Sequence, residues 1–267
     1  MREMPPLRKR THSGWPHLGV TALPPVSQWM VVYGALMALA CGLTFFISLN
    51  DARTLREVGI WVKPMKFMAA TALFVWTTVW LTEWTHPSLA HGRAYLGICT
   101  LIVVTSLFEV AYINCQASLG AASHYNTSDP WHAFLFGLMG FAAVGLTASQ
   151  AWLAWEMWAA RGESPLSISA WGVIVGLVLT FVLSTVSGFL LGGHQPPAGL
   201  GLPLVGWHLQ QDIRPSHFLG VHAQQLLPLW GLIAEYFLGS HAAQALGAGT
   251  GLYVLAWGLL TWSAWRV

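Results

Sequence analysis

The residues with chemical potential cluster around one stretch, Asp212-Ile-Arg-Pro-Ser-His-Phe-Leu-Gly-Val-His-Ala-Gln-Gln, which runs directly into an apolar segment ending at Trp230. An Asp, an Arg, two histidines and two glutamines at the mouth of a hydrophobic helix are costly in a membrane, so they signal a site. His217 and Gln224 are seven residues apart and share a helical face, whereas His222 lies about 140° round from His217 and faces elsewhere. Imidazole with carboxylate is the ligand chemistry of Zn, Fe and Cu, and His124, His194, His217 and His222 are the candidate metal ligands. Glu109, Lys63, Lys66 and Gln116 are candidate catalytic groups, and Asp212, Arg214, Gln224 and Gln225 are candidate cofactor-binding groups.

Glu109 is the most telling of these. A carboxylate within hydrocarbon costs about 2.5 to 3.5 kcal/mol on insertion scales unless it is paired, protonated or metal-bound. Thr105, Glu109, Tyr112 and Gln116 follow one another at steps of four, three and four, a polar stripe on a single helical face. Thr180, Ser184, Ser187 and His194 form a second stripe, whose hydroxyls have packing between helices as their ordinary role. The ordinary role of Lys63 and Lys66 is to snorkel to headgroups, and that of an isolated histidine near the boundary, such as His132 or His208, is to be solvated.

The elements that must position these groups are apolar helices. The chain has 267 residues, 55% hydrophobic and 8% charged, with a net charge of +2. That composition is membrane-like, and the small dispersed charge gives no footing for nucleic acid. Segments of about 20 apolar residues recur at roughly 27–49, 61–82, 94–119, 131–158, 168–192, 216–239 and 245–265. The expectation is therefore an all-α, polytopic integral membrane protein: a single seven-transmembrane-helix bundle over 27–267, behind a mobile basic tail, 1–26. Small residues at helical spacing (Gly34/Ala38/Gly42, Gly172/Gly176, Ser184/Gly188/Gly192, Gly247/Gly251) are packing devices, and many of the sixteen tryptophans fall near span ends. Only the connection 193–215 is long, and its Gly and Pro content suits a cover over a site.

Alternating helix direction places Lys63, Lys66, His124, His132, His194 and the start of the 216–239 segment at one end, with polar residues thinning out beyond Glu109 and Gln116. A bacterial cytoplasmic (inner) membrane is expected, with the N-terminus inside beside Arg8-Lys9-Arg10 and the polar site toward the outer side.

Cys41, Cys99 and Cys115 lie within apolar runs without CxxC or CxxCH spacing, and no lysine follows Lys66 to form a Schiff base in the last helix. The pattern points to a transition-metal or haem protein, with an oxidoreductase acting on a quinone or lipid-soluble substrate as the leading expectation. A zinc hydrolase of lipids, a non-catalytic pigment- or haem-binding subunit with partner subunits in a membrane complex, and a proton-coupled transporter are the competing ones.

Overall fold

A computed structural model describes residues 22–162, 165–203, 205–208 and 210–266. Most of the expected basic tail, and Arg2, Arg8, Lys9 and Arg10 with it, lies outside the described residues. The chain is all-helical apart from a two-stranded antiparallel hairpin. Helix α1 is Pro25–Ser48, α2 Val62–Thr85, α3 Arg93–Ser118, α4 Pro130–Ala159, α5 Ile168–Gly193, α6 Arg214–Leu238 and α7 Ala242–Trp265. The hairpin pairs β1 (Thr54–Leu55) with β2 (Val58–Gly59) between α1 and α2, where sequence reasoning expects only a connection.

Helix starts follow local chemistry. The Asp129 carboxylate accepts from the Trp131 and His132 amides at 2.9 and 3.0 Å, and Pro130 fills the first position of α4, where its missing N–H costs nothing. Ser167 accepts from Ala170 N at 3.1 Å to open α5. Glu235, near the far end of α6, accepts from Ser169 N at 2.8 Å, so a carboxylate from a neighbouring helix also serves the α5 N-terminus.

Six helical segments among the described residues are long and apolar enough to cross a membrane, the sixth being the 52-residue stretch Arg214–Trp265 that contains both α6 and α7. That stretch folds back on itself at Gly239, whose positive φ of 47° suits glycine and breaks the helix. Trp230 Nε1 donates to Ala245 O at 2.9 Å and the Tyr253 hydroxyl donates to Leu219 O, so α6 and α7 run antiparallel.

The tightest seam is between α5 and α6. A β-carbon on Gly220 would stand 2.7 Å from Ser184 N, and one on Gly172 2.9 Å from Leu227 O, so the two backbones meet with no room for a side chain. Three tryptophans use glycines differently: Trp76 lies over Gly34, Trp152 over Gly97 and Trp230 over Gly249. The expected packing roles of Gly42, Gly192, Gly247 and Gly251 are not seen, since a β-carbon there meets nothing within 4 Å.

Connections at one end are tied together. Arg53 donates to Ser118 O at 3.0 Å, Arg56 to Pro196 O at 2.6 Å and Lys66 to Val205 O at 2.8 Å, while the Tyr125 hydroxyl donates to Leu191 O. The α1–α2, α3–α4 and α5–α6 connections therefore share one end of the bundle. Leu36, Leu43, Phe46, Phe189, Leu229 and Leu255 are among the many large apolar side chains facing outward, as a lipid-facing surface requires.

Candidate functional site: a polar cup at one end of the bundle

The first wall is the start of α6. Asp212 is only 4% exposed and is fully engaged: it accepts from Arg214 Nε at 2.8 Å, Arg214 Nη2 at 2.7 Å, Arg214 N at 3.0 Å and His208 N at 2.7 Å. Burial works against the charge of this carboxyl, yet the bonds from Arg214 and the two amides outweigh it and hold the group below the usual carboxylate range. Asp212 and Arg214, expected to bind a cofactor, thus spend their bonds anchoring α6 and the connection before it.

Both α6 histidines have a polar partner at Nδ1. His217 Nδ1 lies 3.1 Å from Ser187 Oγ on α5, and the Ser187 hydroxyl gives its single hydrogen to Leu183 O at 2.7 Å. With that hydrogen on Leu183 O the hydroxyl oxygen accepts, which is the arrangement in which Nδ1 carries the proton and Nε2 keeps its lone pair. His222 Nδ1 lies 3.2 Å from Gln225 Oε1, an acceptor, while Gln225 Nε2 donates to Thr77 Oγ1 at 3.1 Å, an amide orientation that matches a proton on His222 Nδ1. His217 leans on α5 and His222 is tied toward α2, as their separation on a regular helix requires. Phe218 packs against His222 at 4.1 Å between ring centroids, and Trp207 of the α5–α6 connection covers Phe218 at 5.2 Å.

The second wall comes from α2, α3 and the α3–α4 connection. Glu109 is 6% exposed and, among the described residues, has no ion-pair or hydrogen-bond partner, although its charge and that of Lys63 act on each other. The Lys63 ammonium sits 5.9 Å from the Phe67 ring centroid. His124 packs against Phe67 and Phe136 at 6.0 and 5.8 Å, with Ser123 Oγ 3.2 Å from its Nδ1. Burial, with smaller contributions from Lys63 and His217, pushes the His124 imidazole down to about 3, so it is neutral. Lys63, Glu109, His124 and His217 therefore converge from α2, α3, the α3–α4 connection and α6.

Several buried polar atoms in and below the cup lack partners. Among the described residues, Gln224 is 0% exposed with neither amide atom bonded, Gln116 is 5% exposed with Oε1 free, and the Tyr112 hydroxyl is unpartnered. Buried polar groups are nearly always satisfied, so each exception calls for an explanation.

Other expected site residues are placed elsewhere. His194 ends α5 and turns toward α7, its ring 6.2 Å from that of Trp265. Lys66 is exposed and ties down the α5–α6 connection rather than reaching inward. Gln225 orients His222. No three His, Cys, Asp or Glu side chains come together as a metal-holding group among the described residues. The four candidate histidines are thus not one cluster, because His194 leaves the cup and His222 is turned away from His217.

The polar content also does not thin out with depth. Gln150 is buried on α4 and donates to Thr78 Oγ1 at 3.3 Å, and at the far end Ser27 donates to Glu83 Oε1 at 2.6 Å. Sequence reasoning passed over Ser187 and Thr77 as partners of the imidazoles, although the spacing of the α5 hydroxyl stripe offered a signal for Ser187.

The fold is all-helical, with six candidate membrane-spanning segments among the described residues and buried polar side chains inside the bundle. Compared with known protein families, curated proteins and solved structures, the chain matches none.

Proposed function

We propose that the protein is an integral-membrane haem-binding oxidoreductase that acts on a quinone or another lipid-soluble substrate, in which His217 would be the principal residue holding the haem. The observation that carries this reading is the His217–Ser187 bond. Imidazoles that bind metal almost always donate their other N–H to an oxygen acceptor, which fixes the tautomer and points the lone pair at the metal. His217 has that arrangement, within charge reach of the neutral His124 across the cup. Haem suits the site better than zinc does, because a porphyrin supplies four ligands and needs one or two imidazoles, whereas a zinc centre needs three or four protein groups.

On this reading Arg214–Trp265 crosses the membrane twice, giving seven crossings: 52 helical residues span about 78 Å, against an apolar core of about 30 Å. The membrane is the bacterial cytoplasmic one, with the N-terminus inside and the cup toward the outer side. When bound, haem would supply electron transfer, while the chain's own residues hold its ligands and exclude water. The test is haemin titration of the detergent-purified protein, followed by absorption, with His217→Ala beside wild type. Stoichiometric binding in wild type alone supports the reading, and a colourless wild type sinks it.

A second reading, a proton-coupled carrier, draws on the polar groups beyond the cup, Gln225–Thr77 and Gln150–Thr78 at one level of α2 and Ser27–Glu83 at the far end. Substrate-dependent proton uptake in vesicles without haem would favour it.

A further inference from the structure

We infer that the connection between α5 and α6, with the tip of the β1–β2 hairpin at its rim, forms a cleft that binds a neutral saccharide, free or as the headgroup of a glycolipid. The inference goes beyond the proposed function and does not rest on haem.

The cleft, of about 580 Å³, lies within the size range of ligand pockets and is lined by Pro197, Leu202, Trp207, His208, Gln210 and Gln211. Its walls are held by hydrogen bonds. Leu202 N donates to Trp207 O at 2.7 Å and Gly206 N to Leu202 O at 2.8 Å. Gly201, at φ 60°, fits so closely that a β-carbon there would stand 2.6 Å from Trp207 O. The Asp212 carboxylate holds the His208 amide at 2.7 Å. From the hairpin, Arg56 donates to Pro196 O at 2.6 Å and accepts at its own carbonyl from Gly199 N at 3.2 Å. A β-carbon on Gly199 would stand 3.4 Å from Glu57 Oε2 and 3.9 Å from His208 Cε1, so carboxylate and imidazole flank that glycine.

Backbone strain gathers at the same place. Of the four non-glycine residues with positive φ among the described residues, three belong to this cleft and its rim: Arg56 at 52°, Glu57 at 67° and Gln211 at 57°. Such conformations persist only where the surrounding structure enforces them, and they concentrate at ligand sites.

The side chains select the ligand. No Lys or Arg is among the lining residues, and the cations nearby are bonded to protein: Arg56 to Pro196 O, Lys66 to Val205 O and Arg214 to Asp212. The cleft therefore favours a neutral ligand over an anion. Gln210 and Gln211 are exposed amides that both donate and accept, and Glu57 adds an acceptor, a set that matches hydroxyl groups. Trp207 is half-buried, with Phe218 packed against it, and offers an indole ring to the C–H face of a sugar ring. A wholly apolar ligand would leave the amides unused. The lining lies between the end of α5 at Gly193 and the start of α6 at Arg214, at the level of headgroups rather than hydrocarbon.

The test is saturation-transfer NMR of maltose with the full-length protein in phosphatidylcholine nanodiscs assembled with cholate, glycerol serving as the polyol without a ring. Saturable transfer to maltose but not to glycerol is expected, with affinity about tenfold or more weaker in Trp207→Leu and unchanged in Gln244→Ala, at the other end of the bundle. Should Trp207→Leu lose its helical circular dichroism, Gln210→Ala and Gln211→Gly carry the test, since both side chains are exposed and glycine suits the φ of Gln211. Nanodiscs containing diglucosyldiacylglycerol distinguish the sources: loss of the maltose signal there assigns the cleft to a glycolipid headgroup, and an unchanged signal to a free saccharide. Absence of saturable transfer, equal transfer to glycerol, or wild-type affinity in the folded variants overturns the inference. Haemin absorption recorded on the same samples reports separately on the proposed function, so either can fail alone.

Discussion

His217 of α6 and Ser187 of α5 form a directed pair, with Nδ1 3.1 Å from a hydroxyl oxygen whose own hydrogen goes to Leu183 O. With Nδ1 donating to that oxygen, Nε2 keeps a lone pair, and the pair joins the site to the tightly packed α5–α6 seam. Removing the acceptor while keeping the imidazole should loosen this orientation. Ser187→Ala is expected to weaken haem binding about 10- to 100-fold, the usual cost of losing an outer-shell partner, with the helical content unchanged. Haemin titration monitored by absorption checks it, and unaltered affinity would mean that the hydroxyl only packs.

The seam itself can be tested through Gly220. Any side chain there must displace the Ser184 backbone from 2.7 Å, and backbone cannot give way as a flexible side chain can. Gly220→Val is expected to destabilise the fold by about 1 to 3 kcal/mol, seen as a lowered melting temperature in detergent. Gly247→Val, where a β-carbon meets nothing within 4 Å, should change little.

How much of this was legible in the sequence follows from the kind of signal each part gives. Apolar length placed the long apolar helices within a few residues of their observed ends, because the length of an apolar run is a property of the chain itself. The convergence of Lys63, Glu109, His124 and His217 followed from alternating helix direction. What could not be read was pairing. Ser187 looks like any packing serine until His217 is set beside it, Asp212 looks like a ligand until Arg214 and two amides use its lone pairs, and His194 looks like part of the cup until its turn toward Trp265 is known. The buried Gln150–Thr78 contact joins residues 72 apart, a separation over which local spacing carries no information.

Asp212 gives a pH-dependent prediction. Its carboxyl is held below the ordinary carboxylate range, so its stabilising contribution is fully present above about pH 3.9 and is lost as pH falls through the native value. Asp212→Asn should cost on the order of 2 kcal/mol at neutral pH, less than a fully buried pair because Arg214 reaches solvent. Melting temperature against pH checks both points: the gap between wild type and variant should be widest at neutral pH and close on the acid side.

His124 acts in the same direction, at higher pH. In the cofactor-free protein its imidazole stays neutral down to about pH 3, whereas the unfolded chain takes up a proton near pH 6.5. Acidification from about 6.5 toward 3 therefore favours unfolding, and His124→Asn should flatten that part of the melting profile. A profile of the same slope in wild type and variant would place the imidazole in contact with water.

The central claim, that His217 presents its lone pair to haem iron, is tested most directly by the visible absorption spectrum of detergent-purified protein reconstituted with haemin. The account predicts a stoichiometric Soret band in wild type that shifts on reduction, is lost in His217→Ala and persists in His194→Ala. An unaltered spectrum in His217→Ala, or no haem uptake by wild type, would contradict it.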